Sequence, residues 1–117
     1  MGNYRGTLYS KRHVSLSPEE EKFWDFSFHE MAIYDLKALI NYVRITANVP
    51  QIIYIGYSIG GTTSFIYGSL RPEEAASSIK VVINLAPGVY FRHSTAPYTF
   101  TILPFIHFVV VSKLESV

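Results

Sequence analysis

The chain has 117 residues, enough for one ordinary domain, and its 49% hydrophobic and 16% charged content is that of a chain that buries a core rather than one that stays disordered. A formal net charge of +1, with 10 Lys and Arg dispersed along the sequence, gives no footprint for nucleic acid or for an acidic membrane surface. The absence of cysteine excludes disulfides, thiol catalysis and zinc-thiolate sites, and no two of the 4 histidines stand at metal-ligand spacing, so neither a metal nor another cofactor is expected.

Residues 1–15 mix Gly, Asn, Tyr, Arg and Lys without apolar period and read as loop. They contain no apolar stretch of the kind a signal peptide needs, and Gly6 stands where a myristoylation pattern requires Ser or Thr. Ser17-Pro18-Glu19-Glu20 predicts a helix opening, with Ser17 as N-cap, Pro18 in the first position and Glu20 reaching back. Glu19, Glu20 and Glu21 read as a solvated first turn, favoured by the helix dipole, rather than as an acid–base or cation site. Phe23, Trp24 and Phe26 read as core anchors rather than as a binding platform. Ser27-Phe28-His29-Glu30 is a second capping box, and behind it Ala32, Leu36, Leu39, Ile40 and Val43 recur at helical spacing. This predicts one amphipathic helix over 28–46, stopped by Asn48 and Pro50.

Ile52-Ile53-Tyr54-Ile55 suits a strand buried on both faces, and Gly56-Tyr57-Ser58-Ile59-Gly60 comes directly after it. A Gly-x-Ser-x-Gly after a strand and before a helix is the pattern of a nucleophile elbow, in which the serine is thrust out on a strained turn. Ser58 is then the candidate nucleophile. Gly56 and Gly60 lack side chains that would collide where strand and helix pass closely, and the backbone N–H of Ile59 faces the oxyanion that develops on attack. The alternative is a tight turn without chemistry, since so short a pattern also arises by chance; the strand before it and the helix-compatible run 62–70 after it favour the elbow.

Residues 71–76 read as a turn and a short helical piece, and 80–86 as a second buried strand ended by Pro87-Gly88. Strand, helix and strand make a parallel crossover unit, which sets the fold class as α/β. A loop over 89–96 leads to an apolar run, 98–111, of no clear period. Its most apolar part, 105–111, comes after Pro104 and is about a third of the ~20 residues a membrane-spanning helix needs, so no transmembrane segment is expected. No internal repeat is present.

Several of these stretches together resemble the acid lipases, the family of lysosomal acid lipase, gastric lipase and related insect lipases. They are Asn3-x-Arg5-Gly6-Thr7-x-x-Ser10, His13, Leu16-Ser17-Pro18, Phe23-Trp24-x-Phe26-Ser27-x-x-Glu30-Met31-Ala32-x-Tyr34-Asp35-Leu36, the elbow, Thr62-Thr63 and Leu85-Ala86-Pro87. The similarity runs over 3–105. It implies a partial α/β-hydrolase fold and a secreted or lysosomal hydrolase of triacylglycerols or steryl esters working through an acyl-enzyme. Two elbow positions depart from the common Gly-His-Ser-Gln-Gly: Tyr57 leaves the serine intact, and Ile59 still supplies a backbone N–H, without the contacts of a glutamine side chain. The resemblance also implies a triad in the order serine, aspartate, histidine, with the last two well downstream and the second oxyanion donor upstream of residue 1. His13 and His29 precede Ser58 and coincide with the family's structural motifs, His93 and His107 fall where a lid would begin, and Asp35 lies on the wrong side of the serine to be the triad acid.

The expectation is therefore a single incomplete α/β-hydrolase domain over 1–117, because a complete doubly wound enzyme takes over ~200 residues. Its substrate would be a neutral lipid ester, and the chain alone would have no turnover. The alternative is a non-catalytic fragment whose exposed apolar surface binds lipid or a partner, or self-associates, or a truncation without function. Two parallel strands and about three helices would form a small three-layer arrangement with open strand edges and marginal stability.

Overall fold

The computed structural model describes residues 2–90. Its elements are α1 (Phe28–Glu30), a π-helical segment (Met31–Leu36), α2 (Lys37–Ala47), β1 (Ile52–Tyr57), α3 (Ile59–Leu70), α4 (Pro72–Ser78) and β2 (Ile79–Leu85), preceded by a single 3-10 turn at Glu21–Trp24. β1 and β2 pair in parallel, with α3 and α4 between them in the chain. This is a partial α/β-hydrolase fold built on the expected crossover unit. The expectations for 98–111, for His93 and for His107 lie outside the described residues.

The helix opening predicted at Ser17 is only a turn. Glu20 accepts from the Ser17 N–H at 2.6 Å, but the chain behind it forms just the one 3-10 turn at Glu21–Trp24. Ring packing holds this segment. The Phe23 and Trp24 rings meet edge to face at 5.0 Å, and Trp24 Nε1–H donates back to the Pro18 carbonyl at 2.8 Å. Of the three aromatics only Phe23 is buried, so the cluster anchors through one ring. So short a segment makes too few hydrogen bonds to propagate as a helix. The box at Ser27 is complete: Ser27 Oγ accepts from the His29 N–H at 3.1 Å, and Glu30 accepts from the Ser27 N–H at 2.7 Å.

The run after Ser27 is helical to Ala47, but not as the single α-helix predicted over 28–46. Met31–Leu36 are π-wound, which widens the turn and corrects the drift that residues four apart undergo on an α-helix. Ala32, Leu36 and Ile40 accordingly share one buried face, whereas Leu39 is half-buried and Val43 is exposed. The π segment also carries Asp35, whose carboxylate takes Arg5 Nε–H at 2.9 Å, Arg5 Nη2–H at 2.6 Å and the Arg5 backbone N–H at 2.9 Å. That bond to Asp35 raises the guanidinium pKa further above its ordinary value. Asp35 thus fastens the N-terminal loop to the helix.

The core is Ala32, Leu36, Ile40 and Tyr67, with Ile52, Tyr54, Ile66 and Ile79 packed against it. It lies wholly between the helices and one face of the sheet. The strands are not buried on both faces, and among the described residues there are two layers rather than three. Ile53, Ile55 and Tyr57 on β1 pair with Val81, Ile83 and Leu85 on β2, and all six side chains are exposed, Ile53 and Ile55 by more than 60%. A register shift between Ile52 and Ile53 passes over Lys80, and it is this slip that places the apolar residues of both strands on the same face.

Glu30 gives a pH test of the N-terminal cap. The Ser27 hydroxyl and N–H hold its carboxyl down at about 2, against an ordinary 4.5, so the cap's contribution is present above pH 4.5 and is lost as pH falls towards 2. Far-ultraviolet circular dichroism should show helical signal fading over that interval, and Glu30→Gln, which bonds without titrating, should flatten the step. An acid profile unchanged by the substitution would show that the cap contributes nothing.

Candidate active site

Ser58 stands at the junction of β1 and α3, in the N-cap position, with φ 50° and ψ −112°. A left-handed φ is costly for a residue with a side chain, typically ~1–3 kcal/mol, and persists only where the surroundings impose it. Serine is a favoured N-cap because its oxygen normally accepts a helix N–H. Here the side chain makes no capping hydrogen bond and is exposed, so the hydroxyl is not consumed by the helix it begins. Its backbone is held at both ends: the Ser58 N–H donates to Leu85 O at 3.0 Å, and Ser58 O accepts from the Thr62 N–H at 3.1 Å.

Gly56 is the position with no room. A Cβ there would lie 2.7 Å from Gly60 C and 2.7 Å from Gly61 N, both backbone atoms that cannot move aside. At Gly60 a Cβ would meet only the Tyr54 hydroxyl, at 3.3 Å. The greater constraint on the helix is at Gly61, where a Cβ would come 2.6 Å from Pro87 Cβ. Ile59 is the first residue of α3, so its N–H has no intrahelical acceptor and stands at the positive end of the twelve-residue helix.

Three hydroxyls lie beneath that first turn. Tyr54 Oη donates to Gly60 O at 2.9 Å, Thr63 Oγ1 donates to Ile59 O and Gly60 O at 3.1 and 3.0 Å, and Tyr4 Oη lies 2.6 Å from Thr63 Oγ1. On the β2 side, Thr62 Oγ1 donates to Gly88 O at 2.7 Å, and Asn84 Nδ2 donates to Ser64 Oγ at 2.9 Å. The turn after β2 passes through Ala86, also at positive φ. Gly61, Asn84 and Tyr4 were not singled out from the sequence, and Thr63 was named there only in the Thr62-Thr63 pair of the resemblance. A signal existed for Asn84, the one polar residue inside the apolar run 81–86, and for Gly61, the second of two adjacent glycines.

The two described histidines serve the N-terminal segment. His13 Nδ1 accepts from the N–H groups of Ser15 and Leu16 at 3.1 and 2.9 Å, with its ring edge-on to Phe23. His29 lies in the first turn of α1, where its N–H supports the cap. Among the described residues no group of three or more His, Asp or Glu is disposed to hold a metal ion, and no helix is long and apolar enough to cross a membrane.

A substitution series separates these glycines. We expect Gly56→Ala to destabilise the chain by more than ~2 kcal/mol, because backbone must move, whereas Gly60→Ala stays within ~1 kcal/mol, since a hydroxyl yields and alanine favours the helix. Thermal melts that rank the two equally would mean that the strand–helix approach is not tight.

Residues 1–106 match the family model described as alpha/beta hydrolase fold. The chain is 40% identical to Lipase 1 of Drosophila melanogaster over 99% of its own length and 26% of that protein. It is 43% identical to human Lipase member M, over 89% of this chain and 25% of that protein. The lysosomal acid lipase/cholesteryl ester hydrolase of Macaca fascicularis is also 43% identical, over 83% of this chain and 24% of that protein. The chain thus spans about a quarter of the length of these relatives. With the parallel strand–elbow–helix–strand unit and the residue pattern around it, these matches place the chain in the alpha/beta-hydrolase family, in its acid-lipase branch.

Proposed function

We propose that the chain carries the serine nucleophile and elbow of a carboxylic ester hydrolase whose substrates are neutral lipid esters, triacylglycerols or steryl esters. The observation that supports this reading is the backbone of Ser58, held at φ 50° with its hydroxyl free of the helix cap. Ser58 Oγ would form a bond to the ester carbonyl carbon as its proton passes to a base. The Ile59 N–H would share the negative charge on the tetrahedral oxygen. The C–O bond to the alcohol then breaks, the alcohol leaves with a proton, and water hydrolyses the acyl-serine. The substrate class comes from the relatives, one of which bears the name cholesteryl ester hydrolase.

Without a base the Ser58 hydroxyl stays neutral, and triad knockouts in serine hydrolases lose on the order of 10⁶ in rate. The His13 ring is engaged in the N-terminal segment and neither His13 nor His29 hydrogen-bonds Ser58, so we expect these 117 residues alone to show no ester turnover. A fluorescent fluorophosphonate, applied to the folded chain with and without imidazole as an external base, tests the reading. Labelling should appear with imidazole and vanish in Ser58→Ala. Equal labelling of both proteins would exclude Ser58 as the nucleophile, and labelling without imidazole would place a base inside the chain.

A non-catalytic reading is favoured by one observation, the uncovered sheet face. Ile53, Ile55, Tyr57, Val81, Ile83 and Leu85 form an apolar patch without a charge, so a second copy of the chain is a complementary partner for it. Sedimentation velocity should then find assemblies in the unmodified chain that Ile55→Lys shifts towards monomer. Identical profiles would remove this reading.

A further inference from the structure

The mechanism needs an Ile59 N–H that points at the oxyanion. That N–H shares its peptide group with Ser58 O, which the Thr62 N–H holds at 3.1 Å. The next two carbonyls, Ile59 O and Gly60 O, belong to the peptide groups of the Gly60 and Gly61 N–H and fix the turn on which it rests. The direction of a helix's first N–H groups is tied to what its first carbonyls bond. In this chain those carbonyls are claimed by side chains. Gly60 O accepts from Tyr54 Oη at 2.9 Å and from Thr63 Oγ1 at 3.0 Å, and Ile59 O accepts from Thr63 Oγ1 at 3.1 Å. Thr63 is fully buried.

Counting protons gives the cluster a direction. A hydroxyl has one hydrogen to donate. Thr63 spends its hydrogen on the first-turn carbonyls and Tyr54 spends its own on Gly60 O, so in the 2.6 Å contact between Tyr4 and Thr63 the donor is Tyr4. Tyr4 Oη also lies 3.3 Å from Tyr54 Oη, which closes a ring of contacts through Gly60 O. Burial pushes the Tyr4 hydroxyl well above its ordinary value, so it remains a proton donor at any working pH. The loop that contributes Tyr4 is itself fixed, through Arg5 on Asp35.

Resting on Ser58 as the nucleophile, we infer that Tyr4, Tyr54 and Thr63 are positioning residues for the oxyanion donor. Together they clamp the Ile59 and Gly60 carbonyls and so make the N-terminal loop part of the elbow. None of the three touches the reacting atoms. Their effect passes through the peptide groups of the first turn of α3, which explains why a strand otherwise rich in isoleucine carries a tyrosine two residues before Gly56.

The test compares the full chain with Tyr4→Phe and Tyr54→Phe, which keep the rings and remove one hydroxyl each. Amide hydrogen exchange is read at Thr62 and Thr63, whose N–H groups bond back into the first turn, and at residues 66–70 of the same helix. We expect exchange at Thr62 and Thr63 to quicken by about fivefold in Tyr4→Phe, as for the loss of one hydrogen bond, with 66–70 unchanged. In Tyr54→Phe the carbonyl-carbon resonance of Gly60 should shift, reporting the lost donor. Imidazole-assisted fluorophosphonate labelling of Ser58 should slow by a similar factor in both variants. Exchange unchanged at Thr62 and Thr63 in both variants, or quickened evenly along α3 as a purely structural role requires, would overturn the inference. A chain that never labels, even with imidazole, would count against the nucleophile reading instead, while exchange still decides whether the hydroxyls hold the turn.

Discussion

The close approach of β1 to the first turn of α3 is the constraint on which the structure depends. A Cβ at Gly56 would stand 2.7 Å from the backbone of Gly60 and Gly61, so strand and helix meet with no side chain between them. The chain therefore reverses within one residue, Ser58, at a positive φ that serine does not choose by itself. The cost of that conformation is met by bonds on every side: Leu85 O on the Ser58 N–H, Tyr54 and Thr63 on the carbonyls above, and Pro87 packed on Gly61. Strain concentrated at one residue and enforced by its neighbours is what makes an exposed, uncommitted hydroxyl a stable feature of the surface.

The same approach explains the layering. Once α3 lies tightly on β1, its buried side, with Thr63 and Tyr67, meets the face of the helical run that bears Ala32, Leu36 and Ile40. One compact core forms there, tied at its edge by Arg5 and Asp35. Nothing comparable covers the opposite face of the sheet among the described residues. Exposing six apolar side chains in a row forfeits the hydrophobic stabilisation that their burial would supply, about 25 cal/mol per Å² of apolar surface. The sequence is thus written for strands covered on both sides, while the described chain covers one. This agrees with a match over about a quarter of each relative's length.

Much of this was legible in the order of residues. The Ser27 capping box, the parallel pair of strands and the turn at Ser58 come from local rules, because a cap, a β-branched run and a Gly-x-Ser-x-Gly each specify backbone within a few residues. The opening at Ser17 shows where such rules end. Its residues formed the capping contact, but the helix behind it did not extend, since aromatic packing of Phe23 and Trp24 decided the segment.

What the sequence by itself determined is the α/β class, the place of the elbow and the serine at its tip, all properties of short stretches whose conformations are set by sterics and hydrogen bonding nearby. Only the tertiary structure decided the rest. The π turn that aligns Ala32, Leu36 and Ile40, the bareness of one sheet face, the tightness at Gly61 and the gathering of Tyr4, Tyr54 and Thr63 all join residues up to 59 positions apart. The physical reason is that a hydroxyl or a glycine carries no mark of its future neighbour. Which carbonyl a tyrosine meets, and which backbone presses on a glycine, is fixed only when distant segments compete for the same space.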